Sequence, residues 1–231
     1  MKKRWAALAA FVFGVSVHQA SAADLALKAA PSQAIAPAAA ASWTGWYVGV
    51  EGGWAHGRFR QTNQVSGVSE GWFNQDGGLV GGTLGYNWQA GTWVYGLETD
   101  LAWADVRGTQ ACGRTLTNTC GTDIRAYGTV RGRLGALVLS NTMLYATGGL
   151  AYADIHAWKD NGVTTGDNWR AGWTVGAGAE AMILPRWSVK LEYLYSDFPG
   201  TATTYLAAAA TPVTAEERNV HMIRGGLNWH F

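Results

Sequence analysis

Ten charged side chains recur at alternating positions inside otherwise apolar segments of the chain. Five are acidic and five are basic: Glu51, Glu98, Asp100, Glu180 and Glu192, and Arg125, Arg131, Arg133, Lys190 and Arg224. A period of two places such residues on one face of a β-strand whose other face is apolar. If that charged face lines a narrow interior, opposite charges must pair, because an unpaired buried charge costs several kcal/mol. We therefore predict a salt-bridged network.

The same charges could instead line an ion-selective channel. Glycines on the same predicted face would leave room for water or a narrow path: Gly49, Gly53, Gly81, Gly85, Gly135, Gly149, Gly176 and Gly178. If the strands that carry these residues close into a barrel of about eight strands, however, its interior is just wide enough for its own side chains to fill it. The balance of charges favours a plugged or very narrow interior, with a diffusion porin for small solutes as the first alternative.

Two cysteines, Cys112 and Cys120, are separated by seven residues in a predicted loop. Exported chains meet an oxidising compartment, where such pairs form disulfides. We predict a disulfide that staples the loop. Free thiols and part of a metal site are the alternatives, although a metal site would need more ligands nearby.

Two histidines, His56 and His156, fall near the ends of predicted strands, where an imidazole could bind haem iron or a metal ion. An isolated histidine at such a place is more often simply solvated. We therefore predict no metal site and no cofactor. His221 and His230 belong to the last predicted strand and indicate nothing further.

Catalytic motifs are not evident. His56, His156, Asp154 and Ser196 could supply a base, an acid and a nucleophile by position only, and no motif surrounds them. The Gly176-Ala177-Gly178 pattern is not followed by a predicted helix, as a dinucleotide-binding loop would require. We predict that the protein is not an enzyme.

Eight segments alternate between apolar and polar residues and predict the strands that position these side chains. They are residues 46–54, 79–88, 93–103, 124–136, 144–152, 169–181, 187–195 and 220–231. Each is near the roughly 9–11 residues that a tilted strand needs to cross a membrane. The connections alternate between short (89–92, 137–141, 182–186) and long (58–77, 106–123, 155–168, 196–217). The pattern predicts an all-β fold, an eight-stranded antiparallel transmembrane β-barrel with short periplasmic turns and four long extracellular loops.

Tryptophan and the last strand support that fold. Outward tryptophans fall at both ends of the predicted strands, as in two interfacial girdles: Trp46, Trp88, Trp93, Trp187 and Trp229 at one end, and Trp54, Trp103 and Trp169 at the other. The last strand reaches Phe231, and such a terminal strand would be an exposed edge unless it paired with the first one. The last strand of a soluble β-sandwich is the alternative.

The first 44 residues have two different compositions. Residues 1–22 carry Lys2, Lys3 and Arg4, then an apolar run and a small-residue cleavage pattern, which predicts a cleaved signal peptide. Residues 23–44 are rich in alanine and contain Pro31 and Pro37, which predicts an extended periplasmic linker before a barrel over residues 45–231. Removing the three basic residues leaves 14 basic and 16 acidic residues of the original 17 and 16, which argues against a nucleic-acid partner.

Several stretches resemble one family: ADLALKAAP, WTGWYVGVEGGW, TVRGRLG, YATGGLAY, WTVGAGAEAM, VKLEYLYSDF and GGLNWHF. Together they resemble the small outer-membrane immunogenic proteins of alphaproteobacteria, which are porin-family or opacity-type barrels. The resemblance spans residues 23–231 apart from the long connections.

This resemblance implies an eight-stranded barrel in the outer membrane, in contact with its lipid, that serves as an envelope component and surface antigen. Some members are treated as porins, and some bind haem. Because the long connections do not match, binding of haem or a host ligand at the loops stays an alternative without assigned residues. The resemblance also implies that Trp229 and Phe231 help the barrel assembly machinery recognise the chain.

Overall fold

The computed structural model describes residues 42–63, 69–112, 118–159, 164–165, 169–206 and 211–231. The predicted signal peptide and most of the predicted linker lie outside these residues and stay predictions. Among the described residues, no helix has the length and apolarity needed to cross a membrane.

The described residues form nine strands in a single antiparallel sheet, and eight of these strands close into a barrel. The strands are β1 (Gly45–Asn63), β2 (Ser69–Ala90), β3 (Trp93–Cys112), β4 (Asn118–Leu139), β5 (Thr142–Lys159), β6 (Thr164–Thr165), β7 (Trp169–Leu184), β8 (Trp187–Leu206) and β9 (Thr211–His230). The two-residue β6 pairs with the far end of β8. The closing seam joins β9 to β1, from Tyr47 opposite His230 to Asn63 opposite Val213. The predicted eight-stranded antiparallel barrel is confirmed.

The two ends of the barrel differ. Short turns join β2 to β3, β4 to β5 and β7 to β8 at one end, which we call the turn end. In the β2–β3 turn, Gly91 has φ of 63°, a conformation that glycine adopts without steric cost. The opposite end, called the loop end, carries the other connections.

At the loop end the strands extend further than the sequence predicted. Residues 58–77, expected as a loop, contain paired strand residues such as Arg58 opposite Asn74. Outside a bilayer a hydrogen-bonded strand needs no apolar face, so the hydropathy alternation fades while the backbone pairing continues.

Outward side chains form an apolar wall. Val50, Val80, Leu101, Leu150 and Leu191 are all exposed on it. The predicted turn-end tryptophans lie within two residues of the turn-end termini of their strands. Trp187 is directly opposite Trp229. An apolar exterior of this extent suits contact with lipid acyl chains.

The inward side chains form three layers. An apolar layer fills the loop-end half: Ala55, Phe59, Phe73, Leu79, Ala102, Val106, Ile124, Tyr127, Ala151, Ala153, Ile155, Ala157, Leu194, Phe198, Val220 and Met222. A charged layer occupies the middle: Glu51, Glu98, Asp100, Arg131, Arg133, Glu180, Lys190, Glu192 and Arg224. A turn-end layer closes the other side: Trp43, Val94, Met143, Tyr145 and Met182.

Candidate functional site

The charged layer brings together nine of the ten charged residues that the sequence placed inside. All nine have less than one tenth of their surface exposed. They come from β1, β3, β4, β7, β8 and β9. Strand alternation explains their convergence, because every second residue of each strand points to the barrel axis.

Arg131 on β4 lies at the centre of the network. Its Nη1 donates to Glu192 Oε2 over 2.9 Å, and its Nη2 donates to Asp100 Oδ2 over 3.0 Å and to Glu98. One guanidinium therefore bridges carboxylates on β3 and β8. A planar fork of donors suits this multiple pairing better than an ammonium group would.

Arg224 on β9 makes a second hub near the seam. Its Nη1 is 2.6 Å from Glu51 Oε1, and its Nη2 is 2.7 Å from Glu192 Oε1. Asp100 lies 3.2 Å from the same guanidinium. Because Glu192 also binds Arg131, the two hubs share a carboxylate and form one connected network.

Lys190 fills the space between these hubs and the turn end. Its Nζ is 3.0 Å from Glu51 and 3.3 Å from Glu98. Every base of the charged layer thus contacts at least two partners, which is the arrangement that compensates the desolvation of buried ions.

Arg133 links the network to the turn-end layer. Its Nη2 donates to Glu180 Oε2, and its Nη1 donates to Tyr47 Oη over 2.9 Å. Its guanidinium stacks 4.4 Å from the ring centre of Tyr145. Tyr47 in turn donates to Glu98 over 2.7 Å. The aromatic rings therefore cover the turn-end side of the network, and the Tyr47 hydroxyl takes part in its hydrogen bonds.

The five acids of the charged layer face four basic side chains, and neutral donors supply the remaining hydrogen bonds. Thr129 donates to Asp100, and Tyr145 donates to Glu192 over 3.1 Å. Ser188 and Asn228 both donate to Glu180 Oε1. Charge-assisted bonds of this kind are roughly twice as strong as neutral ones, so hydroxyls and amides are effective partners here.

The prediction for Arg125 is wrong: its side chain lies on the exposed side of the barrel wall. The β4–β5 pairing shifts register between Ile124 and Ala126, and the β3–β4 pairing shifts between Trp103 and Val106. A bulge adds one residue to the alternation, so every residue beyond it changes face. Ile124, which an unbroken alternation would place on the outer face, is accordingly buried inside.

Neighbouring atoms occupy the space beside the inward glycines. A Cβ added at Gly85 would collide with the Tyr47 ring, and one added at Gly178 would collide with the Tyr145 hydroxyl. At Gly149 the obstacle is the backbone of Val130 and Arg131. The missing side chains are replaced by large neighbours and close strands, so these glycines allow tight packing.

The residues considered for catalysis lie on opposite faces of the wall. Ser196 is fully buried and shares hydrogen bonds with Tyr127 and Thr174 inside the barrel. His56 is on the outside, where its Nδ1 lies 2.6 Å from Asp76. His156 is outside as well, 3.1 Å from Asp154. In the part of the chain that the structure describes, no three His, Cys, Asp or Glu side chains converge on a possible metal position.

The cysteines lie at the loop end of the β3–β4 hairpin. Cys120 is buried and disulfide-bonded. The side chain of Cys112 lies outside the described residues, so the pairing of these two cysteines stays a prediction. At the turn end, Trp229 and Phe231 contact each other, with ring centres 4.4 Å apart, and the Phe231 amide donates to Trp46 O.

Sequence reasoning missed three aromatic residues that complete the site. The alternation does place Tyr145 on the polar face of its strand, although not in the charged network, and Tyr47 could have been placed inside by the same period. Trp43, which the sequence assigned to the linker, is fully buried and packs edge-on against His230, and its backbone amide donates to Gln89 Oε1 over 3.0 Å. No periodic signal precedes β1, so the alternation could not have located it.

Comparison with known proteins supports the architecture. Residues 7–231 match the family model described as outer membrane protein beta-barrel domain. The 31 kDa outer-membrane immunogenic protein of Brucella melitensis is 36% identical over 230 residues, covering 92% of this chain and 93% of the relative. The 22 kDa outer membrane protein of Rhizobium leguminosarum is 36% identical over 159 residues, covering 69% of this chain and 66% of the relative.

Among solved structures, the outer membrane protein OprG of Pseudomonas aeruginosa aligns with 81% of this chain and 97% of its own, at 14% identity and a TM-score of 0.48. The sequence matches are long enough to assign the family without it. The chain is an outer-membrane protein, and it belongs to the outer-membrane β-barrel family that includes these immunogenic proteins of Brucella and Rhizobium.

Proposed function

We propose that the protein is a structural barrel of the outer membrane whose interior is closed, and that its loop-end surface acts as an antigen. The main support for a closed interior is that buried inward side chains form three successive layers along the barrel axis. A solute would have to pass the apolar layer, the charged layer and the turn-end layer in turn. The name of the Brucella relative, an immunogenic protein, supports the second part of the proposal.

The charged layer serves this function mechanically. Its hydrogen bonds join side chains from six strands, so they resist the separation of any of these six from the barrel. A fully hydrogen-bonded network of ion pairs in the interior makes the surrounding barrel rigid. A general porin would instead need a wide interior lined with hydrated charges.

Planar-bilayer recordings of the refolded protein test the closed interior. We expect no stable stepwise conductance above that of the bare bilayer. A general porin reconstituted in parallel shows that the bilayer reports channels, and a heat-modifiability gel shows that the barrel is folded. Reproducible channels from the folded protein would overturn the proposal and favour the diffusion porin.

Liposome swelling in small neutral sugars gives an independent readout. Because neutral sugars carry no net charge, the charged layer does not attract or repel them, and their entry reports the width of any path through the barrel. Swelling no faster than that of empty liposomes is the expected result. Swelling that depends on sugar size would indicate a diffusion pore.

A further inference from the structure

Two histidines far apart in the sequence stand side by side on the outer surface of the barrel. His56 on β1 is directly opposite His221 on β9, across the seam that closes the sheet. Both point outward, because their neighbours Ala55 and Met222 are buried inside. Side chains directly opposite in an antiparallel pair have Cβ atoms about 4.5–5.5 Å apart. Two imidazoles at that spacing can reach one metal ion.

Each imidazole is oriented by a second group. The Nδ1 of His56 is 2.6 Å from Asp76 Oδ1 on the neighbouring strand β2. The Nδ1 of His221 is 2.6 Å from the Tyr193 hydroxyl on β8. When Nδ1–H donates to such a partner, the lone pair is left on Nε2, the atom that would bind the metal. Carboxylates and other acceptors behind metal-binding histidines have this role in many proteins.

The backbone next to His221 is fixed in an unusual conformation. The β1–β9 register shifts between His56 and Arg58, and Asn219 has φ of 55°, which is uncommon for a residue other than glycine. The Tyr195 hydroxyl donates to Asn219 Oδ1 over 2.8 Å, and its ring packs 5.2 Å from that of His221. Bulges of this kind re-aim a neighbouring side chain. Here the bulge ends one residue before His221, where strand pairing with His56 resumes.

We propose that His56 and His221 form a surface site for a first-row transition-metal ion of the Zn²⁺, Cu²⁺ or Ni²⁺ class. Imidazole nitrogen suits these ions and not Mg²⁺ or Ca²⁺, which favour oxygen ligands. Zn–N bonds are about 2.0–2.1 Å long, so one ion can bind both imidazoles when the two Nε2 atoms turn toward each other across the seam. Two protein ligands leave the other coordination positions to water or to an external ligand at the barrel surface.

Calorimetric titration of the refolded protein, purified without a polyhistidine tag, tests this site. We expect one Zn²⁺, Cu²⁺ or Ni²⁺ ion bound per chain and no comparable binding of Mg²⁺. The Cu²⁺ electron paramagnetic resonance spectrum should show two nitrogen ligands. His56→Gln and His221→Gln should each weaken binding at least tenfold and remove one nitrogen from the spectrum.

His156→Gln is the matched control, because His156 also faces outward beside an aspartate but is paired with Asp123 across the sheet. It should leave binding unchanged. Asp76→Asn keeps both ligands and should weaken binding about tenfold, as loss of a second-sphere partner does. A heat-modifiability gel verifies folding of each variant. Wild-type protein that binds no ion, or glutamine variants that bind as wild type does, would overturn the proposal.

Discussion

Arg224 and Glu51 join the last strand of the barrel to the first. The Arg224 Nη1 lies 2.6 Å from Glu51 Oε1, inside the seam where β9 closes on β1. Both side chains are fully buried. Backbone hydrogen bonds hold the seam along its length, and this ion pair adds a connection that depends on the side chains of both terminal strands.

Replacing Arg224 with Met should lower the free energy of unfolding by about 3–5 kcal/mol, because Glu51, Asp100 and Glu192 lose a shared base in a buried place. Urea unfolding of the refolded barrel in detergent micelles measures the change. Arg107→Met is the control: its pair with Asp105 is exposed, and its loss should cost less than about 1 kcal/mol. Equal losses in the two variants would contradict a structural role for the charged layer.

Gly149→Ala should destabilise the barrel by about 1–3 kcal/mol, the usual cost of overpacking. The new methyl group would meet the backbone of Val130 and Arg131, which cannot move without disturbing the charged layer. Gly148→Ala is the matched control, since its Cβ meets its nearest atoms, Thr174 O and a Val175 methyl group, at an ordinary 3.5 Å. The same unfolding assay compares the two, and a control variant as unstable as Gly149→Ala would show that the interior packing is not the cause.

Trp43→Ala should cost about 3–5 kcal/mol, the range for removing a large aromatic side chain from a core. The reason is its complete burial in the turn-end layer with Val94, Met143 and Tyr145. Trp46→Ala, three residues later and exposed on the outer wall, should cost much less in detergent. If the urea midpoint of unfolding of Trp43→Ala equals that of the wild-type protein, the turn-end layer does not contribute to stability as the packing indicates.

Deleting Phe231 should reduce the amount of folded barrel in outer membranes and leave refolding of the purified protein nearly unchanged. We propose this because Phe231 is exposed and contacts Trp229 at the surface, so its main use is recognition by the assembly machinery. Heat-modifiable protein in isolated outer membranes is the measurement, with Phe231→Tyr as the aromatic control. Wild-type levels of folded deletion variant would refute the recognition role.

The two cysteines should resist alkylation until the folded protein is unfolded and reduced. Cys120 is buried and disulfide-bonded, and Cys112 is the one other cysteine in the sequence. Mass spectrometry should therefore show no alkyl group on the unreduced chain and two after reduction. Two groups without reductant would identify free thiols.

Period-two alternation was enough to predict eight strands and the inward position of residues such as Glu98 and Lys190, because one buried face imposes one register. It failed at Arg125, since a bulge is a backbone event that leaves no hydropathy signal. It failed at Trp43, which packs into the barrel from outside any strand. The pairing of His56 with His221 also could not be read from the sequence, because it depends on the register of a seam between the two ends of the chain.

The charged layer also specifies how many strands the barrel contains. Arg224 on β9 binds carboxylates on β1, β3 and β8, and Arg131 on β4 binds carboxylates on β3 and β8. These groups meet across the interior of the eight-stranded barrel in this register. A barrel with two more strands, or with one seam slipped by two residues, would hold the same charges apart and leave them buried without partners. The pairing of these buried charges therefore favours the correctly closed barrel, because it is complete when each of the charged strands is in its place.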